Sequence, residues 1–186
     1  MSEAIEEARQ AIEREEYDGA SLLLRPLADA GSAEARYLLG YLYFTSADVD
    51  PQESHQWLQR AAAQHHPEAI FHLACWRRDG SFGPPDDEMH RNLLIRAAEL
   101  GSVQAQRDLG CCYATGDDGW PLDPVLGRVW YGRAAAAGHA DAQYNYGLML
   151  LYGEGGPADA SGDEWIHRAA AQNDSCALHY LKSVIE

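Results

Sequence analysis

The sequence has little positive charge, and almost all of it is arginine. Its 14 basic residues face 29 acidic ones, the net charge is −15, and lysine occurs once, at Lys182. Nucleic-acid binding needs a basic stripe, and an anionic membrane surface also attracts basic residues, so this balance excludes both partners. The acidic excess favours basic proteins as partners and speeds encounter with them. It also serves simply to keep a protein in solution, and charge alone leaves both interpretations open.

Long apolar runs are missing too. No stretch approaches the roughly 18 residues that a membrane-spanning helix needs. The N-terminal segment MSEAIEEARQ is acidic and lacks the apolar centre of a secretory signal. We therefore expect a cytoplasmic protein without a membrane partner. Alternating apolar runs and Asn-Gly turns are absent as well, so the sequence does not predict strands.

Patterns typical of metal sites and catalysis are lacking. The cysteines form no CxxC pair, and the histidines show no HExxH arrangement. We predict reduced, buried thiols at Cys75, Cys111, Cys112 and Cys176. The densest histidine group, His65, His66 and His72, spans a helix end and the following helix, which favours structural roles over ligation. No nucleophile with a base is visible, and we predict no enzyme, no metal and no cofactor.

What the sequence does contain is a repeat of about 36 residues. The segments RAAAQH, RAAELG, RAAAAG and RAAAQN begin at Arg60, Arg96, Arg133 and Arg168, spaced 36, 37 and 35 residues apart. A column of alanines keeps the same step: Ala35, Ala69, Ala105, Ala142 and Ala177. Such a period indicates a stacked array in which each unit packs against its neighbours.

Each period predicts two helices. In one unit Ser102 is a suitable N-cap, Asp123-Pro124 restarts the chain as a second helix, and Gly138 ends it. Asp50-Pro51 and Pro84-Pro85-Asp86 restart the chain in the same way. We expect eleven helices, among them 3–16, 20–30 and a closing helix over 175–185. The C-terminal caps form a column of Gly31, His65, Gly101, Gly138 and Asn173.

Small and large residues form further columns, which predict how the helices pack. Small side chains at Gly40, Ala74, Gly110 and Gly147 let neighbouring helices approach closely. Large ones fill the remaining space at Leu39, Leu73, Leu109 and Tyr146, and at Trp57, Leu93, Trp130 and Trp165. We expect the recurring arginine to pair with an acid or a carbonyl of its own or the next repeat. A ladder of ligand-binding arginines is the alternative.

The run from Ala105 to Tyr113, followed by Gly116, Asp123, Trp130 and Arg133 to Gly138, resembles a Sel-one-like repeat, a relative of the tetratricopeptide repeats. The resemblance covers residues 32–183, and residues 1–31 look like a diverged helical pair. It implies an all-α, right-handed α/α superhelix of about five helix-turn-helix repeats with a closing helix, in a single array over 1–186. It also implies a concave face that binds proteins, and no catalysis.

Three columns of the first helices flank the core and are the candidates for that face. They contribute the protein-binding residues that we predict: Tyr37, Tyr41, Phe44, Phe71, Arg78, Arg107, Tyr144 and Leu148. Aromatic residues with interspersed arginine are common anchors of protein interfaces. The alternative is that these side chains roof the core and touch the next repeat, and the sequence favours neither.

Two classes of function follow. The first is an interaction scaffold or adaptor in the bacterial cytoplasm that binds one or more proteins. The second is an immunity or inhibitor protein that neutralises a toxin or effector, which the small size and acidity of the chain would suit. An enzyme is a remote third class, and the sequence leaves the oligomeric state open.

Overall fold

The computed structural model describes residues 3–45 and 51–185 and divides into two compact units, residues 1–100 and 101–186. The first unit holds α1(Glu3–Glu13), α2(Tyr17–Asp29), α3(Ala33–Thr45), α4(Pro51–Ala62), α5(Pro67–Asp79) and α6(Asp87–Glu99). The second holds α7(Val103–Thr115), α8(Pro124–Ala136), α9(Ala140–Tyr152), α10(Gly162–Ala171) and α11(Ser175–Ile185). Within the described ranges every regular element is a helix, which confirms the all-α fold, and none of these helices is long and apolar enough to cross a membrane.

The helix ends follow the predicted caps. All five residues of the C-terminal cap column have a positive φ, including the two that are not glycine, His65 at 62° and Asn173 at 64°. The side chains of Ser102, Asp123 and His139 accept hydrogen bonds from backbone N–H groups three residues ahead. These contacts satisfy donors that a helix start leaves open. The predicted cap Asp50 lies outside the described residues.

The bounds of the first two helices differ from the prediction. The first helix ends at Glu13 instead of residue 16, because Glu15 takes a left-handed conformation with φ 60°. The second begins three residues early, at Tyr17, and continues through Pro26 to Asp29. No glycine marks this turn, so the sequence offered no breaker from which to place it.

The small-residue column lies where the two helices of a hairpin touch, as predicted. An added Cβ at Gly40 would lie 2.7 Å from Leu58, and one at Gly110 would lie 2.6 Å from the Tyr131 ring.

In the first unit a side chain of the second helix also donates a hydrogen bond to a carbonyl of this column. Ser54 Oγ donates to the Gly40 carbonyl at 2.8 Å, and His90 Nδ1 donates to the Ala74 carbonyl at 2.9 Å. In the second unit glycines, Gly127 and Gly162, occupy the positions of Ser54 and His90. There the backbones come close enough to exclude a side chain.

The recurring arginines mainly contact aromatic rings, and among the described residues only Arg168 is also found beside an acid of its own repeat, the kind of partner that we expected. Three guanidinium groups lie over the tryptophan three residues earlier on the same helix, at 4.4 to 4.6 Å from the ring centroid: Arg60 over Trp57, Arg133 over Trp130, and Arg168 over Trp165. Arg168 also lies 3.9 Å from Glu164. In α6 the tryptophan is replaced by Leu93, and Arg96 donates to His65 Nδ1 at 2.7 Å instead. The column therefore serves mainly as a cation–π partner for the tryptophans.

The alanine column is fully buried in every repeat, as the predicted stacking requires. The cysteines form no disulfide, but the prediction that they are buried is wrong. Cys75, Cys111 and Cys112 are half-buried and Cys176 is exposed.

Candidate protein-binding surface

One side of the first unit carries a group of aromatic rings on two consecutive first helices. We call it the ring face: Tyr37, Tyr41 and Phe44 of α3 with Phe71 and His72 of α5. The three α3 residues follow one another at spacings of four and three, which places them on one helix face. The Tyr37 and Tyr41 ring centroids are 6.2 Å apart. The sequence predicted four of these residues as binding residues, and the structure brings those four together.

His72 is the centre of this surface. Its ring centroid lies 6.1 Å from Tyr37, 5.8 Å from Tyr41, 6.0 Å from Phe44 and 5.9 Å from Phe71. The interplanar angles run from 32° to 63°, so the rings tilt against one another as aromatic pairs prefer. One imidazole thus connects the rings of two repeats into a continuous surface.

The ring face has a buried base and an exposed edge. Phe44 is 54% exposed, whereas Trp76, whose ring centroid lies 5.8 Å away, is only 5% exposed. Tyr37 stacks on the His66 ring at 4.5 Å and packs against the core of the unit. Phe44 is therefore free to contact a partner, while Tyr37 mainly supports the surface from behind.

His72 and Tyr37 are uncharged near neutral pH. Burial lowers the pKa of His72 below its usual value, so the imidazole stays neutral. Burial, and to a lesser extent the Glu68 carboxylate, raises the pKa of Tyr37. Beneath Tyr37, Glu34 accepts a hydrogen bond from His66 Nε2 at 3.0 Å and another from Arg9. The bond from His66 is the main reason that the pKa of Glu34 is lowered, and this cluster fixes the end of the ring face.

In the second unit the predicted residues have local partners. Tyr144 lies 6.4 Å from the Tyr180 ring of α11, and Leu148 joins the cluster around Ile166 and Ala177. Arg107 makes ion pairs with Asp108 at 3.0 Å and with Asp141 of the next first helix at 3.3 Å. Contacts with a neighbouring helix are what the roofing alternative describes, so these three positions favour that alternative.

Arg78 is exposed in the last turn of α5. A basic residue at that place also complements the helix dipole. Among the described residues, ring contacts through His72 join the four predicted aromatic residues of the first unit, and no ring contact is found for Arg78. The ring face is therefore defined by its aromatic members.

His72 was not predicted as a member of this surface. We expected structural roles for His66 and His72, and the structure uses them as an N-cap and as a packed ring. Within the described residues no group of three or more histidines, cysteines or carboxylates is arranged to hold a metal. The position of His72 directly after Phe71, on an otherwise aromatic face, was the available signal. Phe82 contacts Trp76 from the loop after α5 and follows no periodicity.

The repeats match a known family. The Sel1 repeat matches four consecutive segments that together cover most of the chain: residues 33–66, 67–102, 103–139 and 140–174. Each segment contains a first helix, a second helix and the C-terminal cap that we described. The boundaries confirm the register that the arginine and alanine columns predicted.

Three proteins with similar sequences or structures are longer than this chain. An uncharacterized protein of Neisseria meningitidis is 30% identical over 87% of this chain and 33% of its own length. The crystal structure of a Sel1 repeat protein from Oxalobacter formigenes superposes with a TM-score of 0.81 at 29% identity, over 89% of this chain and 49% of that one. An immunity protein from Pseudomonas aeruginosa has a TM-score of 0.60 at 22% identity, over 87% and 59%. The chain thus spans about a third of the Neisseria protein and about half of the Oxalobacter protein. The similarity to the Pseudomonas protein shows a shared fold alone.

Proposed function

This chain belongs to the Sel1 repeat family, and we propose on that premise that it is an adaptor that binds a partner protein through the ring face. The observation that carries this proposal is the combination of exposed and supported rings on α3 and α5. Phe44 projects into solvent while its neighbour Trp76 is almost fully buried. Binding hot spots combine these features, since a rigid aromatic anchor loses little entropy when a partner covers it.

The chemistry of the partner follows from the charge of the chain. With a net charge of −15 the protein attracts basic proteins and repels acidic ones. The ring face itself is neutral. The net charge therefore affects mainly the rate at which a partner associates, and the rings stabilise the complex once it has formed. We therefore propose a partner with a basic surface and an apolar patch. We place this binding in the cytoplasm, where the four thiols outside disulfides would stay reduced.

The same face would also serve an inhibitor. The fold likeness to the Pseudomonas immunity protein carries no information on what this chain binds, because at 22% identity it concerns the fold alone. An inhibitor forms a tight complex with one partner and abolishes that partner's activity, whereas an adaptor leaves the activity intact. We propose the adaptor, with no catalytic step of its own, and the activity of the bound partner separates the two.

Alanine at Phe44 is expected to weaken the binding of the partner by more than about 1 kcal/mol, a factor of five or more, because it removes an exposed anchor. Alanine at Phe71 should act in the same direction. The measurement is an equilibrium titration with the partner, isolated by affinity capture and then purified. Circular dichroism should show unchanged folding for Phe44→Ala, since half of this ring already faces solvent.

Leu22→Ala on α2 is the matched control for this series. Leu22 is 77% exposed and lies outside the ring face, so its loss should leave the affinity unchanged. If Phe44→Ala and Phe71→Ala bind like the parent while remaining folded, the partner uses another surface. Tyr144→Ala is informative as well, because its packing on Tyr180 predicts an effect on folding rather than on binding.

A further inference from the structure

The second helices differ from one another at one position that is otherwise occupied by tryptophan. Trp57, Trp130 and Trp165 hold this position in α4, α8 and α10, and Leu93 holds it in α6. The large residue of the paired first helix is also smaller here than in the last hairpin. There Tyr146 and Trp165 make a T-shaped ring contact at 5.5 Å, whereas the hairpin of α5 and α6 offers only Leu73 and Leu93.

A cavity of about 160 Å³ lies against those two leucines. Its other walls are the rings of His55, Trp76 and Phe82, the side chain of Met89, and the polar side chains of Gln59 and Arg77. The three rings are packed together, with centroids 4.1 Å apart for His55 and Phe82 and 4.6 Å apart for Trp76 and Phe82. The lining thus combines flat rings with leucines, which suits a planar apolar group.

The size of the cavity matches one aromatic ring. An apolar protein cavity of roughly 150 Å³ takes up benzene. The lining here is mainly apolar, with Gln59 and Arg77 as polar members beside the His55 ring, so exchange of water for an apolar ring against the leucines and aromatic rings is favourable. In the second unit the corresponding residues, Tyr146 and Trp165, line a wider pocket of about 530 Å³. The smaller space beside Leu73 and Leu93 is therefore the one whose volume matches a single ring.

The charge next to the cavity selects against cations. Arg77 lies in the wall, and its Nη1 donates to the Phe82 carbonyl at 3.5 Å, which holds a permanent positive charge beside the rings. Burial, and then the Arg77 charge, lowers the pKa of His55, so that this ring is neutral near pH 7. An aromatic cage for an ammonium group would need the opposite arrangement, without a fixed cation in the wall.

We propose that this cavity is a binding site for a single neutral aromatic ring of phenyl to indole size. The site goes beyond the proposed adaptor function, because the ring face need not be occupied for the cavity to bind. The ring has two possible sources, a free aromatic molecule or an aromatic side chain of a bound protein. Both share the same recognition chemistry, and a pair of probes distinguishes them.

The test uses indole and N-acetyl-tryptophanamide with the full chain, followed by NMR. Indole should shift the Trp76 indole N–H signal in a saturable manner and more than the signals of the other tryptophans. Leu93→Trp should weaken this binding at least about tenfold, because Leu93 lines the cavity and the larger indole would take up its space. Binding of N-acetyl-tryptophanamide as well identifies a protein side chain as the source, whereas binding of indole alone identifies a free ring; either result supports the site.

Leu22→Trp is the matched control, since it adds the same indole at an exposed position outside the cavity. It should bind indole like the parent. If Leu93→Trp does not fold, Leu93→Phe places a smaller ring at the same position, and it should also weaken the binding of indole. The proposal is overturned if indole shows no saturable effect on Trp76, or if the folded Leu93 variants bind indole as tightly as the parent. Neither result bears on the ring face, because no partner protein is present in the test.

Discussion

Gly147→Leu is expected to destabilise the protein by about 3 kcal/mol or more, the upper end of the cost of overpacking. A Cβ at this position would lie 2.7 Å from the carbonyl oxygen of Gly162 and 2.7 Å from Ile166 Cγ1. The Gly162 carbonyl belongs to the backbone of α10 and cannot rotate away like a side chain. The two helices of the last hairpin would therefore have to separate, which exposes Ile166 and its neighbours.

Gly110→Leu should be less damaging than Gly147→Leu, because the nearest obstacle there is the Tyr131 side chain, at 2.6 Å, and not backbone. Gly19→Ala is the control, since an added Cβ meets nothing within 4 Å in α2. That change should stabilise the protein by roughly 0.5–1 kcal/mol, as alanine is the better helix former. Urea unfolding of the three variants measures the differences. A Gly147→Leu protein as stable as the parent would show that α9 and α10 do not approach as described.

Trp57→Ala is expected to cost about 3–5 kcal/mol, the range for removing a large buried aromatic residue. Trp57 is buried in the core of the first unit together with Leu39 and Leu42. It also carries the Arg60 guanidinium over its ring at 4.6 Å. Both contributions disappear together in the alanine variant, and thermal or urea unfolding measures the loss.

Trp57→Leu separates the two contributions, because α6 already contains leucine at this position. We expect it to cost clearly less than alanine, since part of the apolar volume remains. Arg60→Ala alone should cost about 0.5–1 kcal/mol, the value of an exposed cation–π contact. In a double-mutant cycle that loss should vanish in the Trp57→Leu background. An unchanged effect of Arg60 in that background would mean that the arginine does not act through the tryptophan.

The sequence predicted the features that depend on spacing alone. A cap, an alanine column and a close-contact glycine each recur once per repeat, so the register could be obtained by comparing repeats. That is why the left-handed conformations of His65 and Asn173 and the tight contact at Gly110 were predictable. The aromatic partner of the arginine column could also have been predicted from the sequence. In three repeats a tryptophan lies three residues before the arginine, on the same helix face: Trp57 before Arg60, Trp130 before Arg133, and Trp165 before Arg168.

The candidate surface was predictable only in part, since it depends on what covers each column. Phe44 and Tyr144 belong to similar first-helix faces, yet Tyr144 is covered by Tyr180 of the closing helix while Phe44 stays exposed. The spacing of the repeats along the sequence cannot show which first-helix face is covered by a later helix. Phe82 and the cavity beside Leu93 were not predicted for a related reason. Phe82 lies in a loop, and the cavity depends on how the side chains of α4, α5 and α6 pack around it.

Site-specific photo-crosslinking tests the ring face most directly. A benzophenone amino acid replaces Phe44 in one protein and Leu22 in another, and both are irradiated in the organism that makes the chain. Both positions are exposed, so they differ mainly in whether they belong to the ring face. We predict one discrete protein adduct from position 44 and none from position 22. Equal adducts from both positions, or an adduct from position 22 alone, would contradict the assignment of the ring face as the partner-binding surface.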